Sequence, residues 1–334
     1  MASLHVLLKF QFFVLLLLRL QILASAQIPT TAYGGIAKPG CQSLCGNVRI
    51  PYPFGIGVGC YKQLDFKITC FNGEPKYDRL NVTNISLLDG EMTIEAPIAT
   101  SCLEKRRRSI YESYSDMSFE LGTLTVSPTK NKFISIGCDT SAEMKSKFDL
   151  YGQHIGEGCS DCSKKVAISD GSCNGMGCCM TSIRDRVTES NVTIRRQDSL
   201  KNVSFDNSCV YAFIAEEKSF RFSSTYLQDF KNNGTGSVPV VLDWNIGFDR
   251  TCVNTECGPN TFCTPANNDG NGYLCTCKPG YTGNPYLTKS SVGHCQGGSS
   301  ESGGVPHSKF NKIAAGTCLI LSLVVTRLVS GISI

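Results

Sequence analysis

The chain has 334 residues, with 32 lysines and arginines against 28 aspartates and glutamates. Lys9 and Arg19 lie in an N-terminal apolar segment and Arg327 in a C-terminal one, which leaves 29 basic against 28 acidic residues elsewhere. This balance excludes a polyanion partner held by overall charge, nucleic acid included, so any polyanion must be bound by a local patch.

The N-terminus is typical of a secretory signal peptide. The stretch "MASLHVLLKFQFFVLLLLRLQILASA" has a short apolar centre and ends on small residues at Ala24 and Ala26, as signal peptidase requires. We interpret residues 1–26 as a removed signal and Gln27 as the mature start. A retained membrane anchor is the alternative, which the shortness of the apolar centre disfavours.

Cysteines and glycosylation triplets agree with secretion. Of 19 cysteines, 18 lie between Cys41 and Cys295, and in an oxidising compartment this even number predicts a disulfide framework. Five Asn-x-Ser/Thr triplets predict N-glycosylation at exposed positions. The candidate asparagines are Asn81, Asn84, Asn191, Asn202 and Asn233.

The stretch "CQSLCGNVRIPYPFGIGVGC", residues 41–60, is here termed the opening stretch. Its glycines do not form a nucleotide-binding Gly-x-Gly-x-x-Gly, since Cys60 stands where the last glycine is needed. Pro51 and Pro53 predict a stiff, extended segment. Phe54 on this segment is expected to lie in the core, and Tyr52 either in the core or at a binding surface.

The body of the chain is predicted to be β. Short runs rich in β-branched and aromatic residues, such as "FKITCF" and "NKFISIGC", alternate with turn residues, and no amphipathic helix of four turns is evident. We predict a mainly β fold of disulfide-rich extracellular β domains. A small cysteine-rich module and a C-terminal transmembrane-like helix follow them.

The last cysteine block has the spacing C-x4-C-x5-C-x11-C-x-C-x17-C and contains "CTCKPGYTGNPY". It resembles the epidermal-growth-factor-like module, which implies the pairs Cys252–Cys263, Cys257–Cys275 and Cys277–Cys295. Calcium binding is disfavoured because Arg250 follows Asp249 where such modules place carboxylates. With four histidines in the chain, no metal site is expected.

The apolar tail, residues 313–334, has 22 residues and is nearly long enough to span a bilayer. It predicts a single membrane pass. A lipid-anchor signal, with small residues at 302–304 before a polar spacer, is the alternative, and Arg327 argues against it.

Four stretches resemble the ectodomain of plant wall-associated receptor kinases. "GNVRIPYPFGIGVGCY" is similar to their galacturonan-binding module, and "NKFISIGCD", "GMGCCMTSI" and "VPVVLDWNI" follow in the same order. The resemblance implies capture of pectin. It does not carry over phosphoryl transfer, because the His-Arg-Asp and Asp-Phe-Gly triplets of a kinase do not occur in the sequence.

The resemblance and the composition together predict six segments. They are a signal peptide over 1–26, a galacturonan-binding cysteine-rich domain over 27–110, a wall-associated-kinase-type β and cysteine-rich region over 111–240, an epidermal-growth-factor-like module over 241–296, a linker over 297–312 and the tail over 313–334.

A carboxylated sugar chain is bound by cations at ring spacing and by flat aromatic faces. Such residues gather around the opening stretch and in the run "EKRRRSIY". The run Lys105–Arg108 has a solvated loop as its alternative interpretation. The candidate polyuronate contacts are Arg49, Tyr52, Tyr61, Lys62, Lys67, Lys76, Arg79, Lys105, Arg106, Arg107 and Arg108.

No spacing singles out a pair of catalytic carboxylates or a nucleophile with its base, so neither an enzyme nor a cofactor is expected. We predict a membrane-tethered, kinase-less protein that binds pectin and oligogalacturonides. The secretory pathway would carry it to the plasma membrane, facing the cell wall, with a lipid-anchored or secreted form as the alternative. The alternative function is a protein-interaction module for a secreted peptide or a full-length receptor kinase.

Overall fold

The structure is a computed structural model. It describes residues 35–104, 109–113, 121, 123–138, 140–145, 154–160, 168–184, 187–188, 191–196, 209–227, 230, 236–248, 250–253, 255–266 and 272–297. All of these except Gly297 belong to one compact unit, Met1–Gln296. The mainly β, disulfide-rich character predicted from the sequence is confirmed.

The described residues form short strands and two 3-10 helices, Leu64–Phe66 and Glu217–Ser219. The strands are β1 (Leu44–Cys45), β2 (Val48–Arg49), β3 (Gly55–Ile56), β4 (Lys67–Phe71), β5 (Glu74–Tyr77), β6 (Leu80–Ser86), β7 (Glu91–Pro97), β8 (Ala99–Glu104), β9 (Ser109–Ser113), β10 (Thr125–Val126), β11 (Asn131–Ile136), β12 (Thr140–Lys145), β13 (His154–Ser160), β14 (Cys178–Ser182), β15 (Asn191–Arg196), β16 (Cys209–Glu216), β17 (Ser237–Asp243), β18 (Thr261–Pro265), β19 (Tyr273–Cys277), β20 (Tyr281–Thr282) and β21 (Gln296–Gly297).

The first sheet has seven strands in the order β10-β17-β7-β6-β5-β4-β3. Its central strands alternate, so that Met92, Ile94 and Ala96 of β7 are buried while the residues between them lie on the outer face. β10 comes from the second predicted region and β17 runs across the 240/241 boundary, yet both pair within the sheet that the first region builds. The boundaries at 110/111 and 240/241 stay predictions.

A second sheet, β14-β11-β16-β8-β9, lies between the first sheet and a three-stranded sheet, β13-β12-β15. Its strand β16 contacts β17 on one side and β15 on the other. Residues 210–215 of β16 are therefore buried without alternation, which is the pattern of a strand covered on both faces.

Asn131, at the start of β11, links the first two sheets. Its side chain is fully buried; its Nδ2 donates to the carbonyl oxygens of Ser127 and Val241 at 2.7 Å each, and its Oδ1 accepts from the Val241 N–H at 2.9 Å. β10 ends at Val126, which lies opposite Leu242 of β17. The Asn131 amide bonds to the adjacent residue, Val241, and so continues the hydrogen bonding along β17 past the end of β10.

An aromatic cluster joins three distant parts of the chain. Phe54, Phe66 and Trp244 pack edge to face with centroid distances of 5.0 to 6.0 Å, and Tyr286 lies 5.5 Å from Trp244. All four side chains are buried. Trp244 follows β17 directly, so the end of this strand leads into the core.

Disulfides hold both the sheets and the small module. The pairs in the last cysteine block, Cys252 to Cys295, are those that the resemblance to the epidermal-growth-factor-like module implied. In the body of the protein, Cys102–Cys209 joins the neighbouring strands β8 and β16 at directly opposed positions. The disulfides include Cys41–Cys60, Cys45–Cys70, Cys102–Cys209, Cys173–Cys178, Cys252–Cys263, Cys257–Cys275 and Cys277–Cys295.

Within the described ranges, no helix is both long and apolar enough to cross a membrane. The predicted tail over 313–334 and the predicted signal over 1–26 lie outside those ranges.

Replacing Asn131 with alanine is expected to destabilise the fold. The change leaves the buried Val241 N–H without its acceptor, while the Ser127 and Val241 carbonyls each lose one donor and keep a backbone donor. The orphaned N–H costs roughly 1–3 kcal/mol. Urea unfolding of the purified full chain measures the loss. The matched control is Lys132→Ala, the next residue on β11, whose half-buried side chain is expected to cost under about 1 kcal/mol. Equal losses for the two variants would contradict the role of Asn131.

Candidate functional site

Tyr52 and Phe54 have different environments although only Pro53 separates them. Phe54 is fully buried in the aromatic cluster, as expected, whereas Tyr52 is half-buried at the surface. The Tyr52–Pro53 peptide bond is cis, and residues 52–54 form a turn instead of the expected extended segment. The Tyr52 side chain therefore keeps part of its surface accessible to solvent.

Two lysines lie beside the turn that contains Tyr52. The Lys38 ammonium lies 6.0 Å from the centroid of the Tyr52 ring and donates a hydrogen bond to the Gly59 carbonyl at 2.9 Å. The Lys62 backbone N–H donates to the Pro53 carbonyl at 2.9 Å, which fixes Lys62 beside the same turn. With the half-buried Tyr61, they form the junction surface, which consists of Lys38, Tyr52, Tyr61 and Lys62.

The epidermal-growth-factor-like module packs against the junction surface. Asn284 is fully buried, and its Nδ2 donates to the carbonyl oxygens of Ile36 and Tyr52, both at 2.6 Å. Its Oδ1 accepts from the Tyr286 N–H at 2.9 Å. Gly35 has a positive φ of 83° and lies so close to the Val292 carbonyl that a Cβ there would overlap it.

An ion pair crosses the same boundary. The Lys62 ammonium contacts the carboxylate of Glu256, which belongs to the small module. The Glu256 backbone N–H donates to the Tyr273 hydroxyl oxygen at 2.7 Å. The junction surface belongs to the segments on either side of β3, and the module holds it through Asn284 and Glu256.

Lys67 and Lys76 lie elsewhere, on the outer face of the first sheet. Lys76 is directly opposite the sequon residue Asn81, which is in turn opposite Glu95, and the Lys76 ammonium lies 3.7 Å from the Glu74 carboxylate. A glycan on Asn81 would cover Lys76, and the neighbouring carboxylates repel a polyuronate. This face therefore suits the ligand less well than the junction surface.

The remaining predicted contacts are scattered. Arg79 is at the exposed turn between β5 and β6, where it pairs with the neighbouring Asp78 at 3.6 Å. Arg49 is exposed on β2, which packs against β6. Lys105, Arg106, Arg107 and Arg108 lie outside the described residues.

Three of the five predicted glycosylation sites lie among the described residues. Asn81, Asn84 and Asn191 are exposed on strands β6 and β15, so an oligosaccharide can be attached there without displacing core residues. Asn202 and Asn233 lie outside the described residues.

A half-buried carboxyl, that of Asp243, lies at one end of the outer face. Asp243 is opposite Glu91, and the Lys130 ammonium lies 2.9 Å from the Glu91 carboxylate. Burial raises the pKa of Asp243 from 3.8 to about 6; the Ser127 hydrogen bond and Lys130 lower it, and Glu91 raises it further. The hydrogen bond and charge of Glu91 in turn raise the pKa of Lys130.

Two core tyrosines remain protonated. Burial, with nearby carboxylates, raises the pKa of Tyr77, whose hydroxyl donates to the Leu121 carbonyl at 3.0 Å. Burial likewise raises the pKa of Tyr286, whose hydroxyl oxygen accepts from the Cys275 N–H at 3.0 Å. Both side chains serve packing and hydrogen bonding, not ligand chemistry.

Over the described ranges, no three His, Cys, Asp or Glu side chains gather in a way that could hold a metal ion. Asp249, which the sequence analysis weighed as a calcium ligand, lies outside these ranges.

Sequence reasoning missed Lys38, Glu256 and Asn284. Lys38 precedes the first cysteine of its block, and its "AKPGC" context indicates only a turn. Asn284 in "GNPY" likewise suggests a turn residue. Its two acceptors are more than 230 residues away along the chain, and nothing in the local pattern points to them.

Comparisons with known proteins agree with this architecture. Residues 41–96 match the family model described as wall-associated receptor kinase galacturonan-binding, and residues 170–251 match the one described as wall-associated kinase. The first match contains β1 to β6 and nearly all of β7, with three of the four residues of the junction surface. No solved structure matches the chain at a significant level.

Two relatives from Arabidopsis thaliana illustrate the similarity. The chain is 35% identical over 264 residues to wall-associated receptor kinase 5 and 33% identical over 270 residues to wall-associated receptor kinase 1. The alignments cover 75% and 76% of this chain but 34% and 35% of the relatives. The chain thus spans about a third of the length of the curated relatives it matches.

The fold and the site define a class: a layered, disulfide-rich β ectodomain with an epidermal-growth-factor-like module packed on its N-terminal sheet. Within that class, the chain belongs to the wall-associated receptor kinase family, as an ectodomain. The resemblance drawn from four sequence stretches is therefore confirmed.

Replacing Asp243 with asparagine is expected to change how stability depends on pH. Because folding raises the pKa of Asp243, the protonated carboxyl contributes to the free energy of unfolding. This contribution is complete below about pH 4 and is lost as the pH rises to about 6. Relative to the unchanged protein, the variant should gain roughly 1–2 kcal/mol more at about pH 7 than at pH 4, less than the full shift because the carboxyl is partly solvated. Urea unfolding at both pH values measures this difference. A variant whose gain in free energy of unfolding is the same at both pH values would contradict it.

Proposed function

We propose that this ectodomain binds the carboxylated polysaccharide of the plant cell wall, polygalacturonate in pectin and its oligogalacturonide fragments, without catalysing a reaction. The observation that carries the proposal is the galacturonan-binding family match over 41–96. Within that segment, Tyr52 and Lys62 lie together at the junction surface, and Lys38 joins them from just outside it.

The junction surface has the chemistry that a uronate chain requires. Ammonium groups of Lys38 and Lys62 provide charge-assisted hydrogen bonds to carboxylates. The Tyr52 ring offers a flat apolar area against which a sugar face can pack. The backbones of Tyr52 and Lys62 are fixed by hydrogen bonds to Asn284 and Pro53, which lowers the entropy lost on binding.

The cellular setting belongs to the same proposal. The predicted signal peptide, the disulfides and the exposed sequons support passage through the secretory pathway. The names of the relatives describe receptors, which supports an ectodomain that faces the wall from the plasma membrane. The predicted tail would tether it, as a membrane span or as the signal for a lipid anchor.

A second function is favoured by one observation. The module exposes large apolar side chains, Phe248, Val253 and Phe262 among them, as protein-binding surfaces do. Under this proposal the module would bind a secreted peptide or a full-length receptor kinase. The two functions are compatible, because these side chains are not part of the junction surface.

Immobilised polygalacturonate is expected to retain the full chain at low salt and to release it at high salt, because salt screens exposed charge pairs. Lys62→Ala should weaken binding roughly three- to tenfold through loss of a charge-assisted hydrogen bond. Lys132→Ala is the matched control, since Lys132 is also a partly buried, ion-paired lysine but lies on β11. It should bind as the unchanged protein does.

Absence of retention at low salt would contradict polysaccharide binding. In that case, crosslinking on plant cells that captures a surface protein would favour the second function. Equal losses of affinity in Lys62→Ala and Lys132→Ala would show that binding depends on overall charge. The junction surface would then not be the pectin-binding site.

A further inference from the structure

Among the described cations predicted to contact the ligand, Lys62 differs in its burial. Its side chain is 16% exposed, against 33% for Lys76 and 90% for Arg79. A lysine this buried needs a counter-ion, because an unpaired ammonium loses much of its hydration. In this structure the carboxylate of Glu256 provides that counter-ion.

The two partners are held from opposite sides of the boundary. Lys62 is fixed to the turn of the opening stretch through the Pro53 carbonyl. Glu256 is fixed in the module through its N–H bond to Tyr273, whose backbone exchanges two hydrogen bonds with Ile246. The positions of both backbones are therefore set independently of the ion pair.

The Glu256 side chain, in contrast, is 64% exposed. Solvent and solutes can therefore reach the ion pair from its Glu256 side. A carboxylate of a uronate ring is the same functional group as the one that Glu256 presents. The ligand and Glu256 therefore compete for one ammonium.

We propose that Glu256 is an internal competitor that occupies Lys62 until a uronate carboxylate displaces it. This inference rests on the proposed pectin binding. Because Glu256 is tethered, its effective concentration at Lys62 is high, and a single free galacturonate displaces it poorly. An oligogalacturonide contacts Lys38 and Tyr52 at the same time, and these added contacts offset the displacement. Glu256 thereby selects uronate chains over the monomer.

Glu256→Gln tests this mechanism, with a defined oligogalacturonide and monomeric galacturonate as probes in calorimetric titrations of the full chain. The variant is expected to bind the oligomer roughly two- to fivefold more tightly, as removal of one exposed competing charge implies. Binding of the monomer should increase by at least the same factor. Glu256→Asp keeps the charge and should stay closer to the unchanged protein.

The matched control is Glu217→Gln, which removes the same charge from an exposed glutamate 3.7 Å from Lys132 on the second sheet. It should leave both affinities unchanged. Tighter binding in Glu256→Gln alone supports the competitor, including the case in which only this variant binds. Equal or weaker binding in Glu256→Gln, while the unchanged protein binds, overturns the competitor and leaves pectin binding intact. Failure of every variant to bind the oligomer overturns both proposals.

Discussion

The contact on which the rest of the structure depends is the packing of Trp244 against Phe54, Phe66 and Tyr286. These rings come from the opening stretch, the 3-10 helix Leu64–Phe66, the residue after β17 and the small module, and each buries on the order of 150–250 Å² of surface. Edge-to-face geometry restricts how the rings can pack, so the cluster fixes orientation as well as contact. Asn284 then adds two short hydrogen bonds at the rim of the cluster.

This arrangement makes the epidermal-growth-factor-like module part of the candidate site. Its disulfides stabilise it internally, and its buried asparagine holds the backbone of Tyr52, so the module supports the surface that carries Lys38 and Lys62. The carboxylate of Glu256 gives the module a second, electrostatic effect on the same surface. Under the proposed function, the packing of the module positions the junction surface, and the charge of Glu256 competes with uronate carboxylates for Lys62.

Local patterns predicted the parts of the structure that depend on local physics. Strand content follows from β-branched residues. Phe54 was expected in the core as part of a stiff extended segment, and it is buried although residues 52–54 form a turn. Contacts between distant residues were not predictable in this way. The sequence grouped Lys62 with Lys67 and Lys76, but the turn at residues 52–54 directs Lys62 to the junction while strand alternation places the other two on the sheet face. Only the folded chain separates them.

The claim that the module holds the opening stretch is tested most directly by hydrogen exchange in Asn284→Ala. The Tyr52 N–H donates to the Ile36 carbonyl, which also accepts from Asn284, so its exchange reports on this contact. The account predicts exchange at Tyr52 at least roughly tenfold faster than in the unchanged protein. In Asn260→Ala, where the lost bond to the Cys295 carbonyl lies within the module, exchange at Tyr52 should not change. Unchanged exchange at Tyr52 in Asn284→Ala would contradict the account.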